Sequence, residues 1–137
     1  MTRSPAEIFA EVIRADQEAL GYSVYVNHMP DQPDAAIMVF DQPSGQLEGR
    51  SLRSGDVVEH PVVQVIVRGP KGPGSTISGY TAISTVWGTV KQVHQQVLSQ
   101  GEILQCITKT NTIGSLGLEP QTRRARFSQQ FRMTFSE

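Results

Sequence analysis

The residues able to act as nucleophiles, proton carriers or metal ligands are few and scattered. His28, His60 and His94 stand far apart, and no HExxH or paired Cys/His spacing accompanies them, so the ligand geometry of a zinc site has no support. Each histidine is expected at the surface or at a strand edge. Cys106, in the strand-like run Glu102–Lys109, is the only cysteine. It cannot form an internal disulfide, has no neighbouring base to activate it, and is expected to be buried and inert. Asp31, Asp34, Asp41 and Glu48 fall in turns, where solvated charge is the ordinary role, and no pair is spaced for general acid–base work. No cofactor or metal is expected.

Two further segments invite chemistry. Gly69-Pro-Lys-Gly-Pro-Gly-Ser75 lies between a strand and a helix, as a phosphate-binding loop does. It lacks the G-x-x-x-x-G-K-[ST] order, and its two prolines remove backbone donors that would cradle phosphate. Arg123-Arg-Ala-Arg126 could face DNA phosphates or acidic groups of another subunit. With no interleaved aromatics, the nucleic-acid reading is weak.

These residues must be positioned by one domain's worth of chain. At 137 residues a second folded unit is not expected, and residues 1–137 are read as one domain. Ser4, Pro5 and Glu7 mark a helix start, and Ile8, Phe9, Val12 and Ile13 recur at helical spacing up to Gly21, predicting a helix over 5–20. Residues 22–26 alternate as a strand, 29–34 form a turn with two prolines, and 35–40 read as a buried strand. Residues 41–60 show little periodicity and are expected to project as a long loop, with a long hairpin as the alternative. His60–Arg68 is apolar on both faces, which predicts a central strand in a sheet covered by helices. Ile77, Tyr80, Ile83, Val86, Trp87, Val90, Val93 and Val97 predict a helix from Ser75 or Thr76 to Gly101, with Gly79 and Gly88 allowing close packing. Residues 103–110 read as a strand and 111–122 as a glycine-rich loop. In 126–135, Phe127, Gln129, Phe131, Met133 and Phe135 alternate with polar residues, predicting a half-buried antiparallel strand. The order α-β-β-(long loop)-β-α-β-β is an α+β fold: a mostly antiparallel central sheet packed by two helices.

The longest apolar run, 35–40, falls far short of the roughly 20 residues that span a bilayer. The N-terminus has no signal-type apolar stretch, so a soluble chain is expected. The formal net charge is −1, but residues 1–60 carry four basic and ten acidic side chains and residues 61–137 eight and three. Such a split suits a contact in which one part of a subunit meets a different part of the next.

Pro61, Gln64, Val67, Arg68 and Gly69, followed by a long helix and by a closing run with Arg124, Phe127, Ser128 and Phe131, form a layout that resembles the tail terminator (tail-completion, or minor capsid) proteins of long-tailed bacteriophages. Pro70 and Pro73 depart from it by lengthening the turn before the helix. The resemblance covers most of the chain. It implies a non-enzymatic virion protein, made in the bacterial cytoplasm, that forms a homo-oligomeric ring, commonly a hexamer. That ring would cap the head-proximal end of the tail tube, stop tube-protein polymerisation and meet the head connector, with DNA passing through only as cargo. The alternatives are another head–tail connector or tube-like subunit and, from a different class, a small ligand-binding or enzymatic domain. For the subunit or tail-tube interface the candidate groups are Arg68, Arg123, Arg124, Arg126 and Arg132 against Glu7, Glu11, Glu48 and Glu59, with the 41–60 segment as a second contact.

Overall fold

The computed structural model describes residues 3–47, 58–101 and 103–136. These form helix α1 (Pro5–Ala19), strands β1 (Ser23–Val26), β2 (Ala36–Leu47) and β3 (Val58–Arg68), helix α2 (Ser75–Val90), and strands β4 (Gln96–Val97), β5 (Ile103–Lys109), β6 (Gly114–Leu118) and β7 (Ala125–Ser136). The strands make one sheet in the order β1-β2-β3-β7-β5-β4, with β6 also paired to β7. Only β1–β2 is parallel; every other pair is antiparallel. The α+β expectation holds.

The start of α1 follows its sequence signals. Ser4 Oγ accepts the Glu7 N–H at 3.3 Å and Pro5 occupies the first turn. A long-range cap joins it: the Ala6 N–H donates to Asp41 Oδ1 at 3.0 Å, so a β2 carboxylate serves an orphan donor of the helix. Ile8, Phe9, Ala10 and Ile13 are fully buried against the sheet. The two helices share one face of the sheet. α1 packs on β1, β2 and β3, and α2 on β7, β3 and β5.

β7 borders three strands. Its outer half pairs with β5 (Phe131 to Ser136), its inner half with β6 (Ala125 to Ser128), and its other edge with β3. Its alternation is as expected. Phe127, Gln129, Phe131, Met133 and Phe135 are buried beneath the helices, while Arg132 on the opposite face is exposed. The Phe131 ring lies 5.2 Å from that of Phe9 on α1 and 6.4 Å from that of Trp87 on α2. One side chain thus joins both helices to the sheet.

Five expectations are corrected. β2 and β3 continue through much of the 41–60 segment as a long hairpin, with a register shift between Gln42 and Gln46; residues 48–57 lie outside the described residues. α2 ends at Val90 rather than near Gly101: the chain turns with Gln95 at φ 47°, and Val93 and Leu98 fold inward while Val97 stays exposed. Three- and four-residue spacing fits a turn followed by a short strand as well as a helix. The 111–122 loop contains β6, which carries no burial alternation because all its residues are exposed. β3 is central, yet helices cover only one of its faces: Val63, Val65 and Val67 point into the core, and Gln64 and Ile66 stand half-buried on the other side. Cys106 is exposed, because its place opposite Thr134 puts it on that helix-free face.

Of the two helix glycines, Gly79 allows close packing: a Cβ there would lie 3.1 Å from the Phe127 ring. Gly88 faces open space.

Truncating Phe131 to Ala removes the ring on which both helices rest. The expected loss is about 3–5 kcal/mol in urea unfolding; a loss below about 1 kcal/mol would contradict the central place given to this side chain.

Candidate functional site: the arginine clamp and the flank of the second helix

Arg68 ends β3, and Arg124 immediately precedes β7. Sequence reasoning placed both on the surface. The structure buries them, at 4% and 3% exposure. Arg68 Nε donates to the Asp34 carbonyl at 2.9 Å, and its Nη2 to the carbonyls of Pro30 at 2.7 Å, Pro33 at 2.8 Å and Asp31 at 3.3 Å. Arg124 Nε reaches Glu119 Oε1 at 2.5 Å and Thr122 Oγ1 at 3.1 Å. Its Nη1 donates to the Asp31 carbonyl at 2.9 Å and to Asp34 Oδ1 at 3.1 Å, and its Nη2 to Asp31 Oδ1 at 3.0 Å. Two planar forks thus fasten the 30–34 turn, which holds a cis Gln32–Pro33 bond, to the ends of two adjacent strands. The fixed five-donor geometry of guanidinium suits a turn whose carbonyls converge. The donors of Arg68 and Arg124, both named as interface candidates, are engaged within the subunit.

The electrostatics follow the contacts. The Arg124 hydrogen bond and charge hold the Asp31 carboxyl below the usual range. Burial pushes Glu119 up, but hydrogen bonds from Thr122 and Arg124 outweigh it and leave that carboxyl low. Burial also depresses Arg124, and its carboxylate partners more than reverse this. Arg68 is depressed by burial and by the charge of Arg124.

The other interface candidates separate. Glu11 pairs with Arg3 at 3.0 Å and accepts from Ser99 Oγ at 2.5 Å, so it too is engaged in-chain. Glu7, Arg123 and Arg132 are exposed and Arg126 is half-buried, its Nε enclosed without a hydrogen-bond partner. Glu59 has its backbone in β3 opposite Phe135, and its side chain lies outside the described residues, as does Glu48.

The Gly69–Ser75 turn has a structural use. A Cβ on Gly69 would lie 2.6 Å from the Ser75 carbonyl oxygen, and Ser75 Oγ accepts the Ala125 N–H at 2.8 Å, so the turn docks on the start of β7. Gly74 at φ 87°, rather than Ser75 or Thr76, is the N-cap of α2. A groove of about 390 Å³ opens beside it, lined by Gly72–Thr76, Leu118 and Arg123. Arg123, at φ 56°, lies in a closed turn in which the Glu119 N–H donates to the Arg124 carbonyl and the Arg123 N–H to the Glu119 carbonyl, both at 3.0 Å.

The histidines behave as turn and edge residues. His28 contacts the Val26 carbonyl at 3.0 Å, His60 contacts Thr134 Oγ1 at 3.0 Å, and His94 is exposed. Among the described residues no three His, Cys, Asp or Glu side chains converge as metal ligands, and no helix is long and apolar enough to cross a membrane. Sequence reasoning missed the partners of the clamp, Asp31, Asp34 and Glu119. A turn with two prolines, and so with few donors of its own, was the available signal.

A family model described as "Bacteriophage tail terminator protein" matches residues 10–123. The chain belongs to the bacteriophage tail terminator family. This terminator is a structural tail protein. No curated protein matches it. Its fold is shared with a chain from a solved structure titled "Virion of native gene transfer agent (GTA) particle", at 20% identity and a TM-score of 0.58, over 94% of this chain and 92% of that one.

Replacing Arg124 with Leu should cost about 1–3 kcal/mol, because the carbonyl and carboxylate groups it joins lose their donor. The pH dependence has a definite sign. Asp31 and Glu119 have folded pKa values below their unfolded ones, so their stabilising contribution is complete above the unfolded values near pH 4 and is lost as pH falls through the folded ones. Urea unfolding at about pH 6 and about pH 3 should show a larger acid loss in the wild type than in Arg124→Leu. Equal acid losses would contradict the assigned coupling.

Proposed function

We propose that this protein is a non-catalytic virion component whose copies form a closed ring, a hexamer, on the head-proximal end of the tail tube. The ring stops addition of tube protein and presents a docking surface to the head connector. The observation that carries this reading is the family match across residues 10–123. The fold shared with a chain of a gene transfer agent virion supports a place in a virion-like particle. The uneven charge along the chain supports contacts between unlike surfaces, which close into rings when the rotation permits. Within that ring the candidate contact groups are Arg123, Arg126 and Arg132 on the basic side and Glu7, Glu48 and Glu59 on the acidic side, while Arg68, Arg124 and Glu11 are engaged in-chain.

Electron microscopy of tail-tube protein polymerised with and without this chain tests the reading. Short tubes bearing a ring at one end are expected. Tubes of unchanged length with bare ends would contradict it, and tubes built from this chain itself would favour a tube subunit.

A further inference from the structure

Three arginines meet where β3 ends and β7 begins, and their charges are answered in three ways. Arg124 takes carboxylates: Asp31, Asp34 and Glu119 all pair with it. Arg68 takes four backbone carbonyls of the 30–34 turn. Arg126 takes neither. None of the ion pairs among the described residues reaches it, and its Nε is enclosed without an acceptor. Its cross-strand partner on β3 is Arg68, so two cations stand opposite each other, which is unfavourable in a sheet. A charged donor cut off from water without a partner adds to that cost. Folding of the subunit gives no reason to place an arginine here.

The surroundings leave Arg126 uncovered on its other side. It lies on the helix-free face, alternating with buried Phe127. The β6 residue opposite it is Gly117, and a Cβ there would meet nothing within 4 Å. Ser128 follows two residues along β7 on the same face. It is half-buried, with Gly114 of β6 on one side and Ile66 of β3 on the other. An unpaired guanidinium and a hydroxyl thus stand side by side, with glycine opposite each on β6. That leaves room for a side chain arriving from outside the subunit.

We propose that Arg126, with Ser128 beside it, is a binding position for a carboxylate carried by a partner protein in the assembly. The proposal rests on the ring reading and gives one of its contacts a chemistry. A carboxylate matches a guanidinium fork in plane and charge, and it relieves the repulsion between Arg126 and Arg68. A nucleic-acid backbone fits less well. It presents a row of phosphates that several cations meet together. The next cation along this face of β7 is Arg132, about 20 Å away at the rise of a strand, and Arg68 and Arg124 have turned their donors to the 30–34 turn.

Arg126→Met in the full chain separates this role from a structural one. Removing a charge without a partner should leave the urea midpoint of the subunit unchanged or raise it. Association with further copies or with tube protein should weaken at least about tenfold in sedimentation velocity, as loss of an interface anchor does. Arg126→Lys keeps the charge and supplies an amine, which a carbodiimide should join directly to the partner's carboxylate in the assembled protein. Peptide mass spectrometry locates that bond. A bond formed by this chain alone assigns the carboxylate to a second copy, and one formed only with tube protein present assigns it to that protein. Assembly of Arg126→Met at wild-type strength, or a lowered urea midpoint for that variant, would overturn the site and leave the ring reading standing. Loss of duplex-DNA binding by Arg126→Met with assembly intact would overturn it in favour of phosphate. A wild-type chain that stays monomeric with and without tube protein would overturn both the site and the ring.

Discussion

The parity of β7 is the constraint on which the rest of the structure depends. This one strand borders β3, β5 and β6, and its residues alternate between the helix-covered core and the helix-free face. A slip by one residue would bring Arg126, Ser128, Gln130 and Arg132 under the helices and put three phenylalanines outside. Burying unpaired arginines is costly, so the register is strongly specified. Phe131 then meets Phe9 and Trp87, which fixes both helices relative to the sheet. The start of β7 fixes the turn between β3 and α2, through the bond from Ala125 to Ser75.

The same register sets the arginine clamp. Arg68 and Arg126 face each other across β3 and β7, and Arg124 precedes the latter. The guanidiniums of Arg68 and Arg124 are spent on carbonyls and carboxylates of the 30–34 turn and of Glu119. Asp31 is itself 83% exposed, so its ion pair is worth little alone. The strength of the arrangement lies in two buried forks that would otherwise be left without acceptors. Positive charge that counts toward the chain's basic half is thereby hidden from any partner.

Local signals were legible where one physical rule dominated. The capping residues of α1, the alternation of β7 and the central place of β3 all read directly from residue spacing, and together they give the fold class. Misreadings arose where two rules give the same spacing. Val90, Val93 and Val97 satisfy a helix, yet the chain leaves the helix at Val90 and turns Val93 inward. Ile77 and Tyr80 also satisfy a helical stripe, but α2 turns Gly79, Ala82, Ile83 and Val86 inward instead, with Gly79 seated against the Phe127 ring. Arginines in a cluster read as surface charge, since the turn that they fasten is remote in sequence, 34 residues away for Arg68 and Asp34 and 90 for Arg124 and Asp34. Of the candidate site, Arg123 and Glu7 were found at the surface from sequence alone; the exposure of Ile77 and Tyr80 was not, because periodicity assigns both to a core.

The bulk charge split thus acquires a structural meaning. Most acidic side chains fall in the first sixty residues and most basic ones in the remainder, and two of the latter, Arg68 and Arg124, are spent inside the subunit; the proposed closed ring draws on the charge that is left at the surface. Native mass spectrometry of the purified protein, alone and mixed with tail-tube protein, tests this most directly. The account predicts a single discrete homo-oligomeric mass, that of a hexamer. A monomer under both conditions, or an open series of masses growing with concentration, would contradict it.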